Sequence, residues 1–167
     1  ESAKPKQVDP KDLKNIIASM PPEKRRNLAE ILLTAGALTE AQLHKAQSEQ
    51  KNQPDATLPG VLLSLELVDE RTLAEAISLQ TGIPLVSVNE ETIQASAVPE
   101  IPERIARMYC CMLLRAATTR IDVAMTNPGN LLAIEDIERI TGKQVNALVG
   151  LRSEIEAAIN KYYWQPE

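Results

Sequence analysis

The chain of 167 residues is long enough for one domain or two small ones. Its hydrophobic content of 44% can fill a core, and this core must be aliphatic because the sequence contains no Phe, one Trp and three Tyr. The net charge of −5 and the scarcity of aromatic residues exclude a typical nucleic-acid module, which needs a basic face and stacking platforms.

Neither secretion nor membrane insertion is expected. The N-terminal residues are polar and lack the apolar region of a signal peptide, and no apolar run approaches membrane-spanning length. The two cysteines, Cys110 and Cys111, are adjacent, which disfavours a disulfide between them. We therefore expect a reducing, cytoplasmic location.

The chain begins with a polar tail, residues 1–9, that we expect to be disordered. Asp9 is placed to cap a helix that starts at Pro10 and ends before Pro21. Pro22 is predicted to open a second helix, which runs through the basic residues 24–26 into the following segment. A solvated helix face is the favoured interpretation of these basic residues, and a binding site is the alternative.

Residues 28–50 and 58–80 are two copies of one motif at a constant offset of 30 residues. Without a gap, 8 of the 23 aligned positions are identical: Leu28/Leu58, Leu32/Leu62, Leu33/Leu63, Glu40/Glu70, Leu43/Leu73, Ala46/Ala76, Ser48/Ser78 and Gln50/Gln80. Each copy reads as helix, short break, helix, because apolar residues recur at helical spacing on both sides of the break. A repeat of this size is typical of a supersecondary unit that packs against its own copy.

Specific residues mark the ends of these helices. Gly36 is placed to end the first helix in a left-handed conformation, and Gly82 is placed to end the last one. Thr39 and Gln42 have the spacing of a capping box, and Asp69 takes the capping position in the second copy. Residues 51–57 are predicted to be the loop between the copies.

The pattern changes after Gly82. Strands are predicted at Pro84–Val88, Cys110–Ala116, Ile121–Met125 and Gln144–Val149, the second and third forming an antiparallel hairpin. Helices are predicted at Ile105–Tyr109, from Leu131 to Ile140 before Gly142, and after a Ser153 cap. The predicted fold class is therefore α+β: a helical subdomain of two tandem helix-turn-helix repeats (residues 10–82), then a small α/β subdomain with a three- or four-stranded sheet (residues 83–167).

Signals for catalysis are poor. Thr141-Gly142-Lys143 lacks the upstream glycine and the following Ser or Thr of a phosphate-binding loop. His44 is the only histidine, so His-based metal clusters and catalytic triads are excluded, and we expect it on the surface. The acidic residues Glu135, Asp136 and Glu138 are interpreted as a solvated face. We expect no enzymatic activity, no metal and no cofactor from these residues.

Two glutamines are unusual in their place, because Gln50 and Gln80 each end an apolar stripe. Either they cap the rim of the core or they reach into a pocket. The repeat is consequently the best candidate for a ligand or partner site.

The pattern Leu28-x-x-x-Leu32-Leu33-x-x-Gly36, its copy that ends in Gln80, and the stretch 121–128 resemble the MshE-type N-terminal domain. That domain precedes the motor of type II secretion and type IV pilus assembly ATPases, the general secretory pathway protein E family. The resemblance covers residues 28–163. It implies a bacterial protein-transport role in which this region either docks on the cytoplasmic part of an inner-membrane platform protein or binds cyclic di-GMP.

The family's nucleotide motif begins Arg-Leu-Gly and ends in Gln, and here it is eroded. Its Arg aligns with Asn27 and Thr57, its first Gly with Ala29 and Pro59, and its later Gly with Gly36 and Glu66. Guanidinium contacts guanine and glycine permits close approach, so these losses weaken a nucleotide site. The ligand positions that the resemblance leaves for cyclic di-GMP are Leu28, Gly36, Gln50, Leu58 and Gln80, with Arg26 as a substitute for the missing Arg.

We therefore expect a non-catalytic regulatory or docking domain of a secretion or pilus-assembly ATPase. Its expected partners are the cytoplasmic domain of an inner-membrane platform protein, which would recruit it to that membrane, and a downstream ATPase domain. A cyclic di-GMP receptor with a degenerate paired motif is the alternative. An independent enzyme has no set of residues to support it.

Overall fold

The computed structural model describes residues 7–54 and 56–163. The chain divides into two compact units, Glu1–Gly82 and Ile83–Glu167. The first is helical and the second combines helices with a three-stranded sheet, which confirms the predicted α+β class. Residues 1–6 of the predicted tail lie outside the described residues. At its end, the Val8 backbone N–H donates to the Thr72 hydroxyl (3.1 Å).

The described part of the first unit contains six helices: α1 (Pro10–Ser19), α2 (Pro22–Arg25), α3 (Leu28–Thr34), α4 (Glu40–Asn52), α5 (Leu58–Ser64) and α6 (Glu70–Thr81). Three of them begin after the predicted caps Asp9, Thr39 and Asp69. The Asp9 carboxylate accepts from the Lys11 N–H (2.8 Å), and Thr39 and Gln42 form a complete capping box. These bonds satisfy backbone donors that the first turn of a helix leaves without partners.

The prediction of one continuous helix from Pro22 into the first repeat is wrong. Helix α2 ends at Arg25, and Asn27 begins α3 with an extended backbone (φ −108°, ψ 111°). The Asn27 side-chain oxygen accepts from the Ala29 N–H (2.9 Å). Asparagine offers the backbone this local bond in place of a helical one, so the helix breaks there.

The two copies of the repeat have the same helices at the same offset. Helix α3 packs against α6, and α4 packs against α5, so the first helix of each copy contacts the second helix of the other. Leu32 and its counterpart Leu62 are both fully buried between these helices. Since full burial of a leucine contributes about 1.5–3 kcal/mol, these two side chains add substantially to the stability of the unit.

The described part of the second unit contains a 3-10 helix (Ala95–Glu100), α7 (Glu103–Tyr109), β1 (Cys111–Ala116), β2 (Arg120–Met125), α8 (Leu131–Thr141), β3 (Gln144–Val149) and α9 (Arg152–Tyr162). Strands β1 and β2 pair antiparallel, as predicted, and β3 pairs parallel to β2. The sheet order is β1-β2-β3. Ile121, Val123 and Met125 alternate along β2 and are buried in the core of this unit.

Three predictions in this unit are corrected. Residues 84–88 do not form a strand but only a bridge between Leu85 and Val149. Its two backbone hydrogen bonds run from Val86 to the Val149 carbonyl and from Val149 to the Pro84 carbonyl. Ser153 does not cap the last helix, which begins at Arg152 after Leu151 and has no side-chain cap. Cys110 is not in the strand: it ends α7 in a left-handed conformation (φ 49°), and only Cys111 enters β1.

Helix α8 is confirmed, but its predicted apolar stripe is only partly buried. Ala133 and Ile137 lie in the core, whereas Leu131 is 69% exposed and Ile140 is 44% exposed. The helix ends at Gly142 in a left-handed conformation, as expected. The stripe therefore contacts the sheet through its middle turns.

Candidate functional site

The residues predicted to contact a nucleotide lie at the ends of the repeat helices. Leu28 and Leu58 are the first residues of α3 and α5 and are half-buried. Gly36 is exposed in the turn between α3 and α4. Arg26 is exposed at the end of α2, one residue before the cap of α3. Of these positions, only Leu28 and Leu58 are a matched pair of the repeat, since Gly36 aligns with Glu66.

Gln50 and Gln80 are joined to the backbone in a reciprocal arrangement that we call the glutamine clasp. The Gln50 side-chain amide donates to the Ala56 carbonyl (3.1 Å), just before the second copy begins. The Gln80 amide donates to the Arg25 carbonyl (3.3 Å), just before the first copy begins. Of the two interpretations left open by the sequence, these contacts match a polar cap at the rim of the core.

The two positions aligned with the family's arginine have become helix caps. Asn27 caps α3, and the Thr57 hydroxyl accepts from the Gly60 N–H (3.2 Å) at the start of α5. A capping side chain points back to the terminus of its own helix, and its oxygen accepts a hydrogen bond from the backbone there. Neither residue could reproduce the planar donor array of a guanidinium.

The turns inside the two copies have the same geometry despite different residues. Gly36 has φ 75° and Glu66, at the aligned position, has φ 55°. In each turn the next residue donates its backbone N–H to the carbonyl five residues earlier. Ala37 donates to Leu32 (3.0 Å), and Leu67 donates to Leu62 (3.0 Å). The turn therefore requires a left-handed backbone conformation at this position in both copies, and in the second copy a glutamate adopts it.

The structure thus brings together only part of the predicted site. The Gln80 side chain reaches the backbone beside Arg26, whereas Gln50 bonds at the opposite junction, before Leu58. The arrangement supplies apolar side chains and amide groups but no nucleophile or general base. The two amide groups hydrogen-bond to backbone carbonyls at the junctions before the copies.

Among the described residues, no cluster of three or more His, Cys, Asp or Glu could hold a metal ion. His44 is exposed, as predicted. Burial, reinforced by the neighbouring Cys110, raises the pKa of the Cys111 thiol to about 12, which suppresses the reactive thiolate.

The acidic residues of α8 are not simply a solvated face. The Asp136 carboxylate accepts from the Tyr109 hydroxyl (2.5 Å), which together with burial raises the pKa of that phenol. The Glu138 carboxylate accepts from the Val145 N–H (3.0 Å) at the start of β3. Both carboxylates hold neighbouring elements in place.

Sequence reasoning missed an open cleft of about 720 Å³ in the second unit. Its floor is one face of the sheet: Arg115 lies opposite Asp122, Asp122 lies opposite Asn146, and Arg120 precedes Asp122 by two residues. Side chains at these positions point to the same side of a pleated sheet. Residues 91–94 also line this cleft, which we call the sheet cleft. The sequence signal for this cleft was the alternation of charged and apolar residues in Arg120-Ile121-Asp122, which places both charged side chains on one face of the strand.

The similarity to known proteins is found at two levels. The MshEN domain family matches residues 81–167, which is more than half of the chain. The chain belongs to the MshEN domain family. By structure, the domain resembles MshE solved with cdg, that is cyclic di-GMP (TM-score 0.63, 25% identity, 82% of this chain and 99% of that one). It also resembles the N-terminal domain of XpsE (TM-score 0.68, 25% identity, 84% and 97%).

Curated relatives of this MshEN domain have several names. They include the type IV pilus assembly ATPase PilB of Myxococcus xanthus (28% identity, 81% of this chain and 24% of the relative) and the type II secretion system protein E of Xanthomonas campestris (28%, 83% and 25%). Another is the bacteriophage adsorption protein B of Escherichia coli (27%, 83% and 18%). The chain spans a quarter or less of each relative. No helix in its described part is long and apolar enough to cross a bilayer.

Proposed function

We propose that this MshEN domain is a non-catalytic docking domain of a secretion or pilus-assembly ATPase. It binds a cytoplasmic partner of the inner-membrane platform and is recruited to that membrane by this partner. The names of two relatives, PilB and type II secretion protein E, support the ATPase context, in which the motor follows the domain. The domain itself carries out no catalysis.

One observation carries the choice of docking over nucleotide binding. The polar positions of the paired motif make hydrogen bonds within the domain: Asn27 and Thr57 cap helices, and Gln50 and Gln80 hold backbone carbonyls. A ligand that required the same amide donors would have to break these bonds. Each such exchange forfeits about 0.5–1.5 kcal/mol before the ligand makes a contact of its own.

A cyclic di-GMP receptor is the second candidate, favoured by the likeness to MshE solved with that nucleotide. Leu28, Leu58, Gln50 and Gln80 retain the family's residue types at both copies. Glu66 opposes this function, because its exposed carboxylate adds negative charge near a doubly anionic ligand. Arg26 is exposed beside the first copy and is the cation available to offset that charge.

Titration calorimetry with cyclic di-GMP, followed by capture of a platform protein's cytoplasmic domain, separates the two functions. We expect no micromolar binding of the nucleotide and saturable binding of the platform domain. Micromolar nucleotide binding that is abolished by Gln50→Ala with Gln80→Ala, but kept by the exposed control Gln144→Ala outside the repeat, would reverse the ranking.

A restoring variant makes the calorimetry sharper. Asn27→Arg with Thr57→Arg returns the family's opening residue to both copies. If the missing guanidiniums are what removed nucleotide binding, this variant gains measurable affinity, since a charged contact is worth roughly 2–5 kcal/mol. No gain in a folded variant would show that the erosion of the arginines is not the reason.

A further inference from the structure

The sheet cleft contains two arginines that form no ion pair within the described part of the chain. Arg115 and Arg120 are exposed on the cleft floor, and neither forms an ion pair with any residue in 7–54 or 56–163. The carboxylate between them, Asp122, accepts instead from the Asn146 side-chain amide (3.0 Å). Two other exposed arginines of the unit are paired, Arg107 with Glu103 (2.7 Å) and Arg139 with Asp136 (3.3 Å).

We propose that the sheet cleft binds a carboxylate-bearing segment of a protein partner, with Arg115 and Arg120 as the two donors. The proposal rests on the docking function above and names the chemistry of the contact. A guanidinium presents parallel N–H donors that match the two oxygens of a carboxylate, and this geometry gives both strength and direction. One oxygen of Asp122 accepts from the Asn146 amide, and no ion pair joins Asp122 to either arginine within the described residues.

The cleft is better suited to isolated carboxylates than to a polyanion. Asp122 on the floor and Glu91 at the wall would repel a continuous row of phosphates. Its lining contains no aromatic side chain on which a nucleobase could stack. Ala116 and Ala117 add an apolar strip beside the arginines, which suits a peptide that carries acidic and small apolar side chains.

The backbone around the cleft is firmly held, so the arginines project from a rigid support. The Gln94 N–H donates to the Leu114 carbonyl (2.6 Å), and the Gln94 side-chain oxygen accepts from the Ala116 N–H (3.0 Å). These bonds tie the wall of the cleft to β1. They also occupy the free edge of that strand, so a partner is expected to bind through side chains and not by adding a strand.

The test is an NMR titration of the 167-residue chain with a capped hexapeptide that contains two glutamates. We expect saturable shifts confined to the side-chain N–H groups of Arg115 and Arg120 and to the amides of residues 92–94 and 116–117. Arg115→Gln and Arg120→Gln should each weaken binding by about tenfold. Arg104→Gln, at an exposed arginine of the same unit that does not line the cleft, should leave it unchanged.

Several outcomes would overturn the proposal. They are equal shifts with a hexapeptide in which both glutamates are replaced by glutamine, equal shifts with inorganic phosphate or a single-stranded oligonucleotide, and an equal loss in Arg104→Gln. The side-chain signals of the unmodified chain decide the matter even if a variant fails to fold. If the platform domain binds and the Arg115 and Arg120 variants bind it equally well, this inference fails while the docking function stands. If the peptide binds at the cleft but no platform domain binds the chain, the proposed docking function fails while the binding of carboxylates at the cleft stands.

Discussion

The left-handed turns of the two repeat copies offer a matched test of how the fold tolerates sequence divergence. Glu66 has φ 55° and is exposed, whereas the aligned Gly36 has φ 75°. A side chain in the left-handed region costs roughly 1–2 kcal/mol, and glycine loses about 0.5–1 kcal/mol of additional backbone entropy on folding. Glu66→Gly should therefore stabilise the chain by about 0.5–1 kcal/mol, and Gly36→Ala should destabilise it by about 1 kcal/mol.

Thermal unfolding followed by circular dichroism at 222 nm measures both changes. For a chain of this size, 1 kcal/mol shifts the Tm by roughly 2–4 °C, so the two variants should move it in opposite directions. Glu66→Ala is the control, because it removes the charge and keeps the Cβ and its strain, and we expect little change. The reasoning would be refuted if Glu66→Gly lowered the Tm, or if Glu66→Ala raised it as much as Glu66→Gly does.

Three further predictions concern caps, core and buried thiol. Asn27→Ala and Thr57→Ala should each cost about 1 kcal/mol in urea unfolding through loss of an N-cap, and a neutral result would contradict the capping role. Leu32→Ala and Leu62→Ala should each cost about 2–5 kcal/mol, because both are fully buried between the copies; a large difference between them would argue against an equivalent core. The pKa of the Cys111 thiol is raised from 9.0 to about 12, so folding favours the neutral thiol. Its stabilising contribution is full below pH 9 and is lost as pH rises toward 12, and Cys111→Ala should flatten the decline of stability over that interval.

Local patterns predicted most of the fold. The caps at Asp9, Thr39 and Asp69 and the left-handed ends at Gly36 and Gly82 are interactions between residues close in the chain, so their spacing alone reports them. Not every end of an element was predicted correctly. At the start of α9 the fold begins the helix one residue before Ser153 without a side-chain cap.

The candidate site was only partly predictable, because contacts such as that of Gln80 with the Arg25 carbonyl join residues that are far apart in the sequence. The repeat and the resemblance drew attention to Gln50 and Gln80, but only the folded chain shows that their amides bond at the junctions before the copies. The sheet cleft was missed altogether. Arg115 and Asn146 are 31 positions apart, and the register of two strand pairs with a bulge after Leu113 decides that they share a face.

The sequence alone predicted the duplicated helical motif, the aliphatic core and the change to a mixed α/β unit after Gly82. These features depend on periodicity and on end signals, which involve residues close together in the chain. Tertiary structure alone decided that the copies interlock, α3 on α6 and α4 on α5, and that two arginines of the hairpin lie on one sheet face. Those facts depend on which segments meet in space. Many pairings satisfy the same apolar pattern, and only close packing of the whole chain selects one of them.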